Sequence, residues 1–238
     1  MNNHIMLDCE TIGTVPGSTI LTIGGFRFDP RETDLIGTKL EDHSPRRQFY
    51  ARIDRRSCFL AGMEDEQATL DWWEKQSAEA RQEAFDAGPR VDIDAGLVDL
   101  RDFCNAYEEP HPWSHGAGFD VALLEWAMRL FGIAIPWNFR HIRDTRTAYS
   151  MAGQYPRNNG LKHHALHDAF AQAEAVQRAF NAIIPTRCER LEEALKTIAD
   201  VTNPDDPESH RSDDREGCLD TVHSIALDAI STADGERG

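Results

Sequence analysis

The stretch His4-Ile5-Met6-Leu7-Asp8-Cys9-Glu10-Thr11 constrains this chain more than any other. Apolar residues lead into two carboxylates one residue apart. A turn containing glycine and proline follows, and Ile20-Leu21-Thr22-Ile23-Gly24 resumes the apolar pattern. This reads as strand, turn and second strand in the middle of a sheet. Side chains alternate faces along a strand, so Asp8 and Glu10 project from the same side. Two adjacent carboxylates repel each other and pay a desolvation cost when buried. A divalent metal ion is the usual remedy, and the remaining residues must supply whatever completes the site.

An acid-x-acid triplet means little by itself. With 41 acidic residues in 238, chance supplies about seven of them. Position separates this one from the rest, because it ends an apolar strand where carboxylates are poorly tolerated. The alternative is a solvated strand end followed by ordinary turn residues.

The net charge of −16 disfavours tight, non-specific binding to duplex nucleic acid. The charge is uneven, however. From Asp200 onward eleven acidic residues face three basic ones, so the tail carries half of the excess. Part of the remainder falls on the candidate metal site, and an enzyme gripping only a strand end is compatible with it. Five cysteines (Cys9, Cys58, Cys104, Cys188 and Cys218) are dispersed and never in C-x-x-C spacing, which argues against a disulfide framework and a thiolate zinc site. No apolar run has the length of a membrane span, and the N-terminus opens directly on a strand, so the expectation is a cytoplasmic protein with no membrane partner.

Further along, Gln48 to Ile53 reads as a third strand. Thr69 is placed to cap the turn containing Trp72 and Trp73, and Ser77 to cap a second helix. Leu97, Leu100, Phe103 and Cys104 recur at helical spacing within 95–107. Pro112 to Ser114 forms a short strand before a glycine turn, and Phe119 to Leu130 an apolar helix ended by Gly132 and Pro136. Phe139 to Ile142 reads as a last strand, and 165–184 as an alanine-rich helix. Early strands followed by helices alternating with short strands indicate an α/β fold with a mixed sheet. The expected organisation is a domain over 1–185 and an acidic extension over 186–238, flexible from beyond Asp200 through Glu216, with one short amphipathic helix at 219–230.

Two further motifs matter. Asp120 opens a helix directly after Phe119, where an aspartate also serves as an ordinary cap. His163-His164-Ala165-Leu166-His167-Asp168-Ala169 sets Asp168 five residues past His163, read here as helical, with two alanines that allow close approach. A surface histidine cluster and a simple helix-start signal are the alternatives. The spacing is neither H-E-x-x-H nor a histidine pair beside cysteines, which argues against zinc.

Taken in order, Asp-x-Glu on the first strand, Phe-Asp opening a middle helix and His-x-Ala-x-x-Asp near the domain's end resemble the DEDDh family of 3′-to-5′ exonucleases. That family has the ribonuclease H-like fold and includes ribonuclease T, oligoribonuclease and polymerase proofreading subunits. The resemblance runs from about His4 to Ile184. The stretches from Leu7 to Thr14, Thr69 to Gln76 and Arg143 to Thr147 look most like a small subgroup of bacterial and phage exoribonuclease-like proteins. Many members carry an asparagine shortly before Phe-Asp, where this chain has His115-Gly116-Ala117-Gly118.

By position, the resemblance implies metal carboxylates at Asp8, Glu10, Asp120 and Asp168, with Asp8 bridging, and a general base at His163. It implies two divalent cations, Mg2+ or Mn2+, and hydrolysis of single-stranded RNA or DNA from the 3′ end, RNA favoured, to nucleoside 5′-monophosphates. The substrate-binding candidates are Thr11, Trp72, Trp73, Phe119 and Arg146. Adjacent tryptophans on a helix cannot share a face, so one stacks a base while the other packs inward. A proofreading exodeoxyribonuclease and a non-catalytic nucleic-acid-binding protein are the alternatives. A homodimer is possible.

Overall fold

Five strands form one mixed sheet: β1 (His4–Thr11), β2 (Ile20–Phe28), β3 (Gln48–Arg52), β4 (His111–Ser114) and β5 (Arg143–Asp144), in the spatial order β3-β2-β1-β4-β5. β1 is central, antiparallel to β2 and parallel to β4, while β2–β3 is antiparallel and β4–β5 parallel. This is the ribonuclease H-like α/β arrangement the sequence implies. The computed structural model describes residues 3–157, 160–183, 194–198 and 222.

Up to residue 183 seven helices are described between the strands and after them: α1 (Arg55–Leu60), α2 (Gln67–Trp73), α3 (Ala78–Arg81), α4 (Ile93–Asn105), α5 (Asp120–Leu130), α6 (Thr145–Ala152) and α7 (Ala165–Ile183). A π-type turn, Gln82–Asp86, continues α3. Residues Met1–Ile183 form one compact unit. In the extension, 194–198 are helical. The acidic stretch through Glu216 and the helix expected over 219–230 lie outside the described residues, apart from helical Val222.

Strand periodicity sorts β1 between two cores. Ile5, Leu7 and Cys9 enter one, where Ile23 of β2 meets Leu97 and Leu100 of α4 and Val121, Leu124 and Met128 of α5. Met6 enters the other, with Phe26 and Phe28 of β2, Tyr149 of α6 and Ala169, Ala173 and Val176 of α7. Asp8 and Glu10 share the parity of Met6, so both emerge on the face that α7 covers. At the register position opposite Asp8 stands Gly24. A Cβ there would lie 2.2 Å from the Ala165 carbonyl carbon and 2.4 Å from the Leu166 nitrogen. The first turn of α7 therefore rests directly on the sheet beside Asp8, and only glycine permits that contact.

Most local expectations hold. The Ser77 hydroxyl accepts the Ala80 N–H at 3.1 Å and starts α3, and Gly132 (φ 65°) follows α5 in the left-handed region. Two expectations need correction. The N-cap of α2 is Glu66, not Thr69; the Thr69 hydroxyl donates to the Glu66 carboxylate at 2.9 Å. The stretch Phe139–His141 is a 3-10 turn, because the Asn138 side chain accepts the Arg140 N–H at 3.0 Å. The last strand is displaced to Arg143–Asp144. Cys9, Cys58 and Cys104 are buried free thiols, and no described helix is long and apolar enough to cross a membrane.

Candidate active site

The site is assembled at the C-terminal end of β1 by three elements distant in sequence. β1 presents Asp8 and Glu10. α5 follows β4 through the 115–118 turn, and its first residue, Asp120, is buried with Oδ1 accepting the Cys9 N–H at 3.1 Å. This bond ties the start of α5 to β1 between the two strand carboxylates. α7 contributes Asp168 in its first turn and, one turn later on the same side, Gln172. The Gln172 amide donates to Asp8 Oδ1 at 2.7 Å. Sequence reading missed Gln172, although its i+4 relation to Asp168 was available as a signal.

His163 comes to the same place by a route the sequence does not announce. It is not on the helix. It occupies the turn before α7 with φ 58°, a left-handed conformation uncommon outside glycine. One ligand atom from each of Glu10, His163 and Asp168 lies within 4.8 Å of the others. Asp8 and Asp120 sit close enough to join this group electrostatically.

The electrostatics are those of a site built around positive charge. Burial, then Asp120, Glu10 and Asp168, push the Asp8 carboxyl well above the usual carboxylate range, with the Gln172 bond opposing. Burial, then Asp168 and Asp120, raise Glu10 to about 8. Burial raises Asp120 to about 7 against the Cys9 N–H, its own N–H and the Arg146 guanidinium. Groups so placed either hold protons or hold a cation. Carboxylate oxygens converging from β1, α5 and α7 match the hard-donor preference of Mg2+ and Mn2+, so the residues fit a divalent cation site.

Residues 3–180 match the family described as the 3′-5′ exoribonuclease Rv2179c-like domain. The chain belongs to this family. It also resembles a curated exodeoxyribonuclease of Enterobacteria phage T4, at 25% identity over 161 residues, covering 60% of this chain and 68% of the phage protein.

In this Rv2179c-like domain the five residues expected to bind substrate occupy different settings. Trp72 is 41% exposed and Trp73 only 2%, so the division between an outward and an inward ring is as the helix geometry requires. Trp73 Nε1 donates to the Thr11 carbonyl at 2.9 Å and its ring packs on Phe85. Trp72 lies edge-on to His163, with ring centroids 4.9 Å apart. Thr11 is buried and its hydroxyl donates to the Gly13 carbonyl at 2.7 Å, which stabilises the turn after β1. Phe119 is half-buried at the residue preceding α5.

Arg146 is exposed in the first turn of α6, and its guanidinium lies over Gly116, where a Cβ would be 3.3 Å away. The 115–118 turn is otherwise held by the Asp144 carboxylate, which accepts the Ala117 N–H at 2.8 Å, and by a 3.2 Å contact between His115 Nδ1 and the Thr145 hydroxyl.

Proposed function

We propose that this protein is a metal-dependent 3′-to-5′ exonuclease that releases nucleoside 5′-monophosphates from single-stranded ends, with RNA as the favoured substrate. One observation carries the reading. Asp8, Glu10, Asp120 and Asp168 converge from β1, α5 and α7, where burial and the neighbouring carboxylates raise the proton affinity of Asp8 and Glu10, with His163 at their edge. A non-catalytic binding module has no use for four acids that repel phosphate.

Asp8, Glu10, Asp120 and Asp168 would hold two divalent cations. When bound, such cations supply the charge that activates a water and stabilises a departing 3′-oxygen. An imidazole beside two carboxylates acts either as a ligand or as a proton acceptor, and the all-oxygen preference of Mg2+ favours the second role for His163. Burial, followed by the Lys162 charge, holds the His163 pKa below its usual value, so the ring is neutral at physiological pH and free to take a proton from the attacking water. Gln172 orients Asp8 by its amide. Exposed Trp72 offers a face to a terminal base, and Arg146 a charge to a phosphate.

A DNA substrate is the second reading, favoured by the phage relative named an exodeoxyribonuclease. Paired 5′-labelled single-stranded RNA and DNA of one sequence decide between them. We expect stepwise shortening from the 3′ end with Mg2+, loss of it in chelator, and a higher kcat/KM on RNA. Faster DNA turnover would move the assignment to the second reading, and absence of any metal-dependent shortening would remove both.

A further inference from the structure

The left-handed backbone of His163 raises the question of what holds it there. The turn 161–164 is fastened at three points. The His167 Nδ1 accepts the Leu161 N–H at 3.2 Å, and the His164 carbonyl accepts the Asp168 N–H at 3.0 Å. The third point is the His164 ring. It is sandwiched between Tyr50 of β3 (centroids 4.3 Å apart, 19° between planes) and His167 of α7 (4.2 Å, 26°). The Nδ1 of His164 is buried without a hydrogen-bond partner, so this ring serves by packing, not by polar recognition.

The stack is anchored at its far end. Tyr50 Oη donates to Glu83 Oε1 at 2.7 Å, Arg52 Nε donates to the same oxygen at 2.7 Å, and Arg52 Nη2 reaches it at 2.6 Å. His164 Nε2 lies 3.8 Å from that oxygen. The Arg52 guanidinium also sits over the Tyr50 ring, 4.9 Å from its centroid. Glu83 belongs to the π-type turn, a local geometry that recurs at functional sites because it re-aims a single side chain. One carboxylate oxygen thus fixes a tyrosine and an arginine, and the tyrosine carries the stacked ring of His164, the residue directly after His163.

We propose that Tyr50, Glu83 and His164 are positioning residues for His163. They lock the turn so that this ring, and neither neighbouring histidine, faces Glu10 and Asp168. The strain of a non-glycine left-handed residue is tolerated because the residues on both sides of it are fixed by contacts made elsewhere. The proposal rests on reading His163 as the proton acceptor, but its geometric content does not.

The test uses the full chain with saturating Mg2+ on a labelled single-stranded RNA. His164→Ala and Glu83→Ala should lower kcat by about tenfold to a hundredfold, the scale of misplacing a reacting group by an ångström, with KM within twofold. His164→Phe keeps the stack and should restore at least half of kcat. In a His163→Ala background, adding Glu83→Ala should cost less than about twofold more, because the two changes remove one function. As a second readout, the His163 ring resonances in a proton–carbon NMR spectrum should move in His164→Ala and stay in place in His164→Phe.

Parental kcat in both alanine variants would overturn the proposal. So would a Glu83→Ala penalty of full size without His163, or His163 resonances that ignore His164→Ala. Should Glu83→Ala fail to fold, the His164 pair decides alone. His163→Ala turning over at the parental rate is a different result: it removes the proton-acceptor reading, and the ring resonances then judge the positioning.

Discussion

The two ends of β1 both bury titratable side chains, and they do so with opposite outcomes. At its start, His4 stacks edge-on against His111 (4.8 Å), which in turn meets His141 (4.3 Å). Trp113 Nε1 donates to His4 Nδ1 at 2.8 Å. Burial, reinforced by His111, lowers the His4 pKa to about 4, so the ring stays neutral and the cluster packs as an aromatic core. At the other end, burial and then repulsion from Asp168 and Asp120 raise Glu10 to about 8, and burial raises Asp120 to about 7. A neutral imidazole is accepted among partly buried aromatic rings and satisfied by one indole. Several buried carboxylates that face one another are not satisfied by neutral hydrogen-bond donors, and they retain a demand for positive charge. Stability therefore organises the first end and chemistry the second.

The strongest way to break this contrast is Asp8→Ala. Loss of activity on the order of a thousandfold is expected, the scale of removing a principal electrostatic group. The thermal midpoint in chelator at pH 8 should be unchanged or higher, because repulsion is removed rather than created. Retained parental turnover would show that the acidic end is no more chemical than the other. Asp168→Ala should behave alike.

Gly24→Ala comes next. The added methyl meets the α7 backbone, so a destabilisation of about 1–3 kcal/mol is expected from overpacking. Activity should also fall, because Asp168 and Gln172 ride on the displaced turn. A chemical denaturation curve superimposable on the parent would mean that α7 does not rest on the sheet as described.

The third prediction concerns pH in the absence of metal, where the two ends should give slopes of opposite sign. His4 takes up a proton near its ordinary value when unfolded but only near 4 when folded. Its contribution to stability is present above about pH 6.5 and lost as pH falls towards 4. Glu10 is the mirror case, with a folded value of about 8. Its contribution is present below about pH 4.5 and lost as pH rises through 8. Stability in chelator should therefore peak in mildly acidic buffer. His4→Gln should flatten the acid limb, Glu10→Gln the alkaline limb, and Mg2+ should restore stability at pH 8. Limbs that respond to the wrong variant would refute the assignment of slopes to ends.

The smallest effect is expected at the histidine end. His111→Ala should leave kcat within about twofold of the parent, since this cluster lies at the start of β1 and β4 and not at their C-terminal ends. A large drop in kcat with an intact thermal midpoint would reveal chemistry where only packing is described.

Much of this was legible in the residues themselves. A period of two put Asp8 and Glu10 on one face, and the apolar run around them marked the centre of a sheet. Ser77 marked a helix start because a hydroxyl needs only a backbone N–H three residues away. The failures share a cause. Thr69 yielded its cap position to Glu66, and Phe139–His141 became a 3-10 turn once the Asn138 side chain captured a local N–H. In each case two short-range hydrogen-bond patterns compete at nearly equal energy, and sequence pattern does not rank them. Gln172 went unread because an isolated glutamine carries no signal until a carboxylate stands opposite it.

Sequence alone determined which side chains share a face, where α3 begins, and that two carboxylates would end a buried strand. Tertiary structure alone decided that α7 lands on Gly24, that Gln172 reaches Asp8 from 164 positions away, that Trp72 faces outward while Trp73 is buried, and that His163 is delivered by a left-handed turn. The physical reason is range. Strand parity and helix caps are fixed by bonds a few residues apart, whereas the cage depends on where packing sets a helix against a sheet, and that placement is a property of the whole core.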